Sequence, residues 1–507
     1  MTFTKKIRIS HYRISLNKDR RNPISEIEIN LTFRFNIPDE DLNVNGLLFG
    51  LKGANSQIML HKKEGNLMEE KLLLERIKKE KVDFVNLLFT DIIGEPKTVT
   101  IPASAMKSAL KHGIWFDGSS IEGFARIYES DMLLKLDIST FSILPWTEEN
   151  GRFAQIICDV YLPDEKPFMG DPRGVLKRTV EMARKMGYEY QVGPEIEFFL
   201  FERSELPELK PHDTKGYFDL AVHSRAVEIC RETMQNMENF GVHCETYHHE
   251  VSNGQHEIDF SYDKALKIAD GIVSFKHAIK THSMKKGLKV TFMPKPIFGV
   301  SGSGMHTHQS LADSKGRNLF YNEKDHYNLS EIAYQFLAGQ IKHARSIVSL
   351  AAPTVNSYKR LVPGYEAPVY ICWGRVNRSA LIRIPMVTQS KAQEGARLEL
   401  RCPDPSCNPY LAFAAMLRAG LDGIENELQP PPPVEENVYG FSDEKLKEMD
   451  INTLPSNIGE AVDALAKDEI FRDMMGEELI THFINAKNQE WREFLMQVTE
   501  WEVERYL

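Results

Sequence analysis

Apolar positions along the chain recur with two periods, and the switch between them marks the elements. From Met68 the run MEEKLLLERIKKEKV repeats its apolar residues at helical spacing behind an acidic first turn, which predicts an amphipathic helix. VNLLFTDI and, past a turn at Gly94, TVTIP read as strands, so the region up to about residue 165 is expected to be a small sheet domain with one or two helices. Upstream, Glu26 to Phe33 alternates apolar and polar residues as a strand does. The turn-rich segments Pro163 to Pro167 and Gly170 to Pro172 mark a break. RGVLKRTVEMARKMG behind it predicts a second amphipathic helix, with Gly187 as its C-terminal cap. Strands and helices then alternate to about residue 425, and Pro430 to Pro433 marks a loop before a helical remainder. No internal repeat is visible. The organisation expected is an extension over 1–67, a small domain over 68–168 and a larger domain over 169–507.

Bulk composition narrows the function classes. A chain of 507 residues exceeds a single small core. With 42% hydrophobic and 26% charged residues it is globular in character, and its net charge of −10 argues against a dedicated nucleic-acid binder. No apolar stretch reaches the roughly 18 residues that a membrane span needs. The start, MTFTKKIRISHYR, has no apolar run of the secretory kind. Six cysteines, mostly in apolar or strand-like runs, point to reduced thiols and a cytoplasmic setting. Cys402 and Cys407 lie close together, but no second pair completes a zinc pattern, so both are expected to pack in the core.

Four segments carry chemistry. In GPEIEFFLF a period of two puts Glu195 and Glu197 on one strand face, where paired carboxylates call for a cation or a proton between them. In HHEVSNGQHE a loop carrying Glu250 and Glu257 can aim both carboxylates at one point; the zinc-protease spacing is absent and Gly254 disfavours a helix. In FGVSGSGMHTH, glycines 299, 302 and 304 permit close backbone approach to a ligand, and the following strand sets His306 and His308 on one face. From Tyr358 to Pro403 the chain is dense in arginine, and in RLELR two arginines flank Glu399 on one strand face. Guanidinium forks match carboxylate and phosphate oxygens, whereas a structural ion-pair network is the plainer reading. Taken together, the donors suit Mg²⁺ or Mn²⁺ better than zinc, and metal plus arginine is the equipment of phosphoryl transfer. Neither a Walker A sequence nor a kinase signature set is present.

In this order the segments FDGSSI, GPEIEFF, HHEVSNGQHE, GSGMHTH, SYKRLVPGYEAP, NRSALIRIP and RLELRCPDPSCNPYL resemble the glutamine synthetase family, type I, from about Met68 to Leu507. The resemblance implies an α+β fold: an N-terminal β-grasp domain plus a larger catalytic domain with an antiparallel sheet flanked by helices. It implies a homododecamer of two stacked hexamers, with active sites between neighbours, and admits small regulatory proteins as partners. The implied substrates are ATP, glutamate and ammonia, with two or more Mg²⁺ or Mn²⁺ ions per active site. By motif match Glu197, Glu250 and Glu257 resemble ligands of a first metal, and Glu195, His306 and Glu399 those of a second. Arg378 and Arg383 match arginines facing the transferred phosphoryl group and the nucleotide, with Arg397, His308 and Ser310 nearby. Arg360 and Arg401 match residues that hold the carboxylates of glutamate, and Gly302 lies in the glutamate loop. Asp117, from the adjacent subunit, resembles the ammonium-binding residue, and Glu366 the flap residue that closes the site. Arg126 matches an arginine of feedback inhibition in the alpha subtype.

The chain departs from the family pattern in places. Ser301 stands where the glutamate loop usually has asparagine, and a hydroxyl offers fewer hydrogen bonds than an amide. Tyr128 replaces an acidic residue, and ENVYGFS around Tyr439 does not match the adenylylation motif, so no adenylylation is expected. Residues 1–67 read either as an appended segment or as the product of a start placed upstream of Met68, the second being favoured because the family's usual start coincides with Met68. Among rival functions, a ligase acting on another amine is disfavoured by Asp117 in FDGSS. A silent regulator is disfavoured by the complete set of carboxylates, and a metal-dependent hydrolase leaves the arginines unexplained.

Overall fold

The computed structural model describes residues 67–119, 121, 131–147, 151–203, 209–221, 224–365 and 367–507. The strand expected over 26–33, together with Arg126, Tyr128 and Glu366, lies outside the described residues. Residues Glu70–Leu507 form one compact unit.

The described residues open with a helix over 67–79, and a six-stranded sheet follows. The strands are β1 (Phe84–Thr90), β2 (Pro96–Pro102), β3 (Ile114–Asp117), β4 (Asp131–Leu136), β5 (Ser142–Ile143) and β6 (Phe153–Tyr161). Their order is β2-β1-β6-β4-β3, with β5 against β6. β1 and β2 pair antiparallel around the expected turn, where Gly94 adopts φ +88°, a conformation open to glycine without a Cβ penalty. β1 runs parallel to β6. Val85, Leu87, Met106, Leu134, Ile156 and Val160 bury the inner face.

The larger part of this unit begins with the helix Pro172–Lys185. Asp171 caps it by accepting the Arg173 N–H at 3.0 Å, Pro172 fills the first turn, and Gly187 past its end has φ +90°. Nine described strands make the second sheet: β7 (Glu189–Glu202), β8 (Cys244–His249), β9 (Gln255–Phe260), β10 (Asp263–Lys264), β11 (Leu288–Thr291), β12 (Met305–Ala312), β13 (Tyr370–Gly374), β14 (Ala380–Arg383) and β15 (Leu398–Leu400). The path is β13-β14-β15-β12-β7-β9-β8, with β10 and β11 also on β7. It is antiparallel as expected except at one edge, where β13 and β14 run parallel.

One face of β7, carrying Tyr190, Val192, Ile196, Phe198 and Leu200, is buried in the main core. Helices Pro172–Lys185, Ala265–Lys285, Glu331–Lys342 and Pro409–Glu425 share that core. The last of these is apolar almost all round and is accordingly buried almost all round. Burial of a side chain such as Phe198 contributes about 1.5–3 kcal/mol. The opposite face of the sheet is left for polar side chains, and the chemistry collects there.

Candidate active site

Strand alternation and register assemble this face. Glu195 on β7 lies opposite His306 on β12 and Asp259 on β9, and Glu197 lies opposite Glu257, which lies opposite His248 on β8. On the other side His308 faces Glu399 on β15, and Glu399 faces Arg383 on β14. Residues two apart on each strand share a face, so the pairs that the sequence singles out become one surface. Glu257 lies in a strand rather than in the expected loop: only the connection between β8 and β9 is irregular, because β9 pairs with β7 from Gln255 to Asp259.

A cavity of about 360 Å³ opens on this surface, lined by Glu195, Glu197, Glu250, Glu257, Asp259 and Glu399, and by Arg360, Arg378, Arg383 and Arg401. Gly302, Ser301, His248, His306, Tyr217 and Tyr365 complete much of its wall. Gly302 is required there, because a Cβ would meet the Pro294 carbonyl oxygen at 2.2 Å.

The charges separate into two environments. Glu195 faces His308 Nε2 at 2.7 Å and His306 Nδ1 at 3.2 Å. Burial pushes its carboxyl up, but the two imidazoles outweigh burial and hold it well below the usual range. Glu399 receives Arg383 Nη1 at 2.5 Å and lies 3.2 Å from Arg401 Nε. Its carboxyl is likewise held down by His308, His306 and Arg401 against burial. The other carboxylates have little cationic company. Burial and then the Glu250 charge push Glu197 up to about 8. Burial and then Glu197 push Glu257 up to about 12. Glu197 accepts a hydrogen bond from Gln255 Nε2 at 2.7 Å, and Glu257 lies 3.2 Å from His248 Nε2.

These donors fit divalent cations. Ligand atoms of Glu195, His306 and Glu399 lie within 4.8 Å of one another, as do those of His248, Glu250 and Glu257. His248 Nδ1 and Asp259 Oδ1 are buried without a hydrogen-bond partner, and buried polar atoms are seldom left so. The first trio is the one expected from sequence. In the second, His248 stands with Glu250 and Glu257, while Glu197 faces the same cavity from β7.

A second cavity, of about 550 Å³, adjoins the first and is lined by His308, Ser310, Arg397, Lys391, Thr388 and Tyr262 among others. Glu195 and Asp259 line both. Arg397 Nε donates to His308 Nδ1 at 3.2 Å, which orients that imidazole toward Glu195. Arg360 is buried, its guanidinium donating to the carbonyls of Cys402, Arg401 and Pro403 at 3.0–3.2 Å. Asp117 ends β3 exposed and lies outside both linings. The Tyr439 hydroxyl donates to the Ala367 carbonyl.

Sequence reading misses Gln255 and Asp259, although the period of two that singles out Glu257 on β9 places both on the same face. Tyr217 carries no sequence signal. It arrives from a separate segment, and its ring contacts His248 at 5.8 Å between centroids.

Comparison with known proteins identifies the family. The family model described as "Glutamine synthetase, beta-Grasp domain" matches residues 81–163, and "Glutamine synthetase, catalytic domain" matches residues 169–506. A protein of Thermus thermophilus named glutamine synthetase is 49% identical over 441 residues, 86% of this chain and 98% of that protein. A Plasmodium falciparum glutamine synthetase structure superposes with a TM-score of 0.78 at 26% identity, over 86% of this chain and 98% of the other. A structure titled "GmaS/ADP complex-Conformation 1" gives a TM-score of 0.78 at 32% identity, over 86% of this chain and 99% of the other. The six-stranded β-grasp sheet and the larger sheet are thus those of a known architecture, and the chain belongs to the glutamine synthetase family, a family of glutamate–ammonia ligases.

Proposed function

We propose that this cytoplasmic chain condenses L-glutamate with ammonia in two steps that share the two adjoining cavities. ATP occupies the larger one, against His308, Ser310 and Arg397, and a similar structure, titled as an ADP complex, supports a nucleotide as ligand. Glutamate occupies the smaller one. Arg360 and Arg401 hold its carboxylates, and Gly302 lets the backbone approach it. The observation that carries this reading is Glu195, which lines both cavities at the point where a phosphoryl group has to cross.

In the first step a γ-carboxylate oxygen of glutamate attacks the γ-phosphorus of ATP. The bond to ADP breaks and γ-glutamyl phosphate forms. Arg378 and Arg383 face the transferring group, and fixed guanidinium charge there lowers the barrier without reorganisation. Glu195, His306 and Glu399, with Glu197, Glu250 and Glu257 beside them, would hold Mg²⁺ or Mn²⁺; bound there, the cations neutralise phosphate charge. In the second step ammonia attacks the acyl carbon and phosphate leaves. Asp117 takes a proton from the incoming ammonium. Exposed in its own chain, it serves a neighbour's cavity in a homododecamer of two stacked hexamers. Glu366 closes the site over the acyl phosphate, excludes water and accepts the proton that the attacking nitrogen gives up, and Arg126 takes part in feedback inhibition by glutamine.

Phosphate release from ATP and Mg²⁺ tests this. Release is expected only when glutamate and ammonia are both present. Release with another amine alone would reassign the chain to a ligase for that amine, and none under any condition would overturn the enzymatic reading.

A further inference from the structure

The strands that carry the cavity carboxylates carry imidazoles on their other face. Along β8 and β9 alternation turns His248 and Glu257 into the cavity and His249 and His256 away from it, and these last two are direct cross-strand neighbours. The segment 209–221 meets them there. His212 Nε2 lies 2.7 Å from His256 Nε2 and 3.3 Å from Asp213 Oδ2. The His212 side chain is 3% exposed and His256 is 1% exposed. Ligand atoms of His212, Asp213 and His256 all fall within 4.8 Å of one another.

The surrounding groups orient these three. The His256 Nδ1 atom lies 3.3 Å from the Tyr247 hydroxyl, so a proton there leaves Nε2 with its lone pair facing His212. Asp213 Oδ1 accepts the Gly254 N–H at 2.9 Å and faces His249 Nε2 at 3.2 Å. The other ring nitrogen of His249 lies 2.7 Å from the Glu250 carbonyl oxygen. Metal-binding histidines and carboxylates have such outer partners, which fix the tautomer and the ring. Without a cation, a single N–H···N bond joins the two rings. Tetrahedral zinc with Zn–N of ~2.0–2.1 Å sets two nitrogens ~3.3 Å apart, so accepting it requires the rings to part by ~0.6 Å.

We propose that His212, Asp213 and His256 form a structural site for a zinc-class divalent cation, separate from the carboxylate-lined cavity. Donor chemistry sorts the ions between the two faces of the strand pair. Imidazoles favour zinc over magnesium, and oxygen-rich cavities favour magnesium or manganese. The cation ties the segment 209–221 to the β8–β9 hairpin. That segment also holds Phe218, whose N–H donates to the His249 carbonyl at 3.0 Å, and Tyr217, which lines the cavity. The cation is therefore a staple that keeps Tyr217 against His248, and it takes no part in the reaction.

The full-length protein, loaded with zinc and dialysed against excess Mg²⁺, is the material for the test. Diffraction data on either side of the zinc absorption edge are expected to show an anomalous peak among His212 Nε2, His256 Nε2 and Asp213. Elemental analysis is expected to show about one retained zinc per chain, falling at least tenfold in His212→Ala and in Asp213→Asn. Anomalous peaks confined to the cavity carboxylates, no peak at all, or equal retention in folded variants would each overturn the proposal. The diffraction measurement uses the wild-type chain, so a variant that fails to fold does not spare it.

Discussion

Two places in this molecule bury charge, and they do so in opposite ways. Arg173, at the start of the helix Pro172–Lys185, sends Nε and Nη2 to Asp270 at 2.9 and 2.8 Å, Nη1 to Asp159 at 2.6 Å and Nη2 to Asp137 at 2.8 Å. Lys177 reaches Asp159 at 2.5 Å, and the Tyr410 hydroxyl donates to Asp270 at 2.7 Å. Charges of both signs interleave, and the cluster fastens the ends of β4 and β6 to the helices that pack on the larger sheet. In the cavity the matching is uneven: Glu195 and Glu399 have imidazole or guanidinium partners, while Glu197, Glu250 and Glu257 crowd together, and burial and then mutual repulsion raise the Glu197 and Glu257 carboxyls. A buried charge is tolerated when its partner is beside it. The junction is therefore complete within the chain, whereas the cavity is complete only when cations meet its carboxylates and anions meet its arginines.

Breaking the junction should cost the most stability. Arg173→Leu leaves Asp270 buried without the guanidinium that meets both of its oxygens, while Asp159 keeps Lys177; truncating one partner of a buried pair typically costs about 3–5 kcal/mol. Denaturant midpoints of the metal-free protein check this. A loss under about 1 kcal/mol would mean that the cluster is a solvated face. The matching change in the cavity should reverse the pattern. Glu257→Gln removes a carboxylate that Glu197 opposes, so the metal-free fold should keep its stability within about 1 kcal/mol. Metal-dependent phosphate release should fall by about 100-fold or more, since even outer partners of metal ligands are worth 10–100-fold. Equal loss of stability in the two variants would erase the distinction.

The same distinction explains what is legible in the sequence. Glu195 and Glu197, His306 and His308, and Arg397 and Arg401 around Glu399 stand out because strand periodicity is local and their chemistry is unusual on a half-apolar strand. Glu257 reads as a loop residue because Gly254 masks where β9 begins. The Arg173 cluster is invisible, because its aspartates lie 14, 36 and 97 positions away and each looks like an ordinary surface residue in its own segment. The His212–His256 contact spans 44 positions and is hidden for the same reason. Motifs show what one strand face can do, while partners from distant segments are fixed by packing.

Asp171 sharpens the comparison further, because it is the member of the junction whose charge is least matched. It caps its helix and also accepts the Val160 N–H at 3.2 Å. Burial, and then the nearby Asp159 charge, raise its carboxyl from 3.8 to about 6. A carboxyl raised in the folded state binds its proton more tightly there than in the unfolded chain. Its contribution to stability is therefore fully present below about 3.8 and is lost as pH rises through about 6. Asp171→Asn keeps a capping oxygen and removes the titration. The stability of wild type relative to this variant should decline between about pH 4 and about pH 6.5, with a slope no steeper than about 1.4 kcal/mol per pH unit. Urea midpoints of both proteins across that range, in metal-free buffer, supply the difference. A difference that stays flat would mean that Arg173 neutralises Asp171 as fully as its other neighbours. A difference that widens with pH would make Asp171 a stabilising anion, and the contrast between a charge-complete junction and a charge-incomplete cavity would then be stronger than the Asp171 carboxyl alone implies.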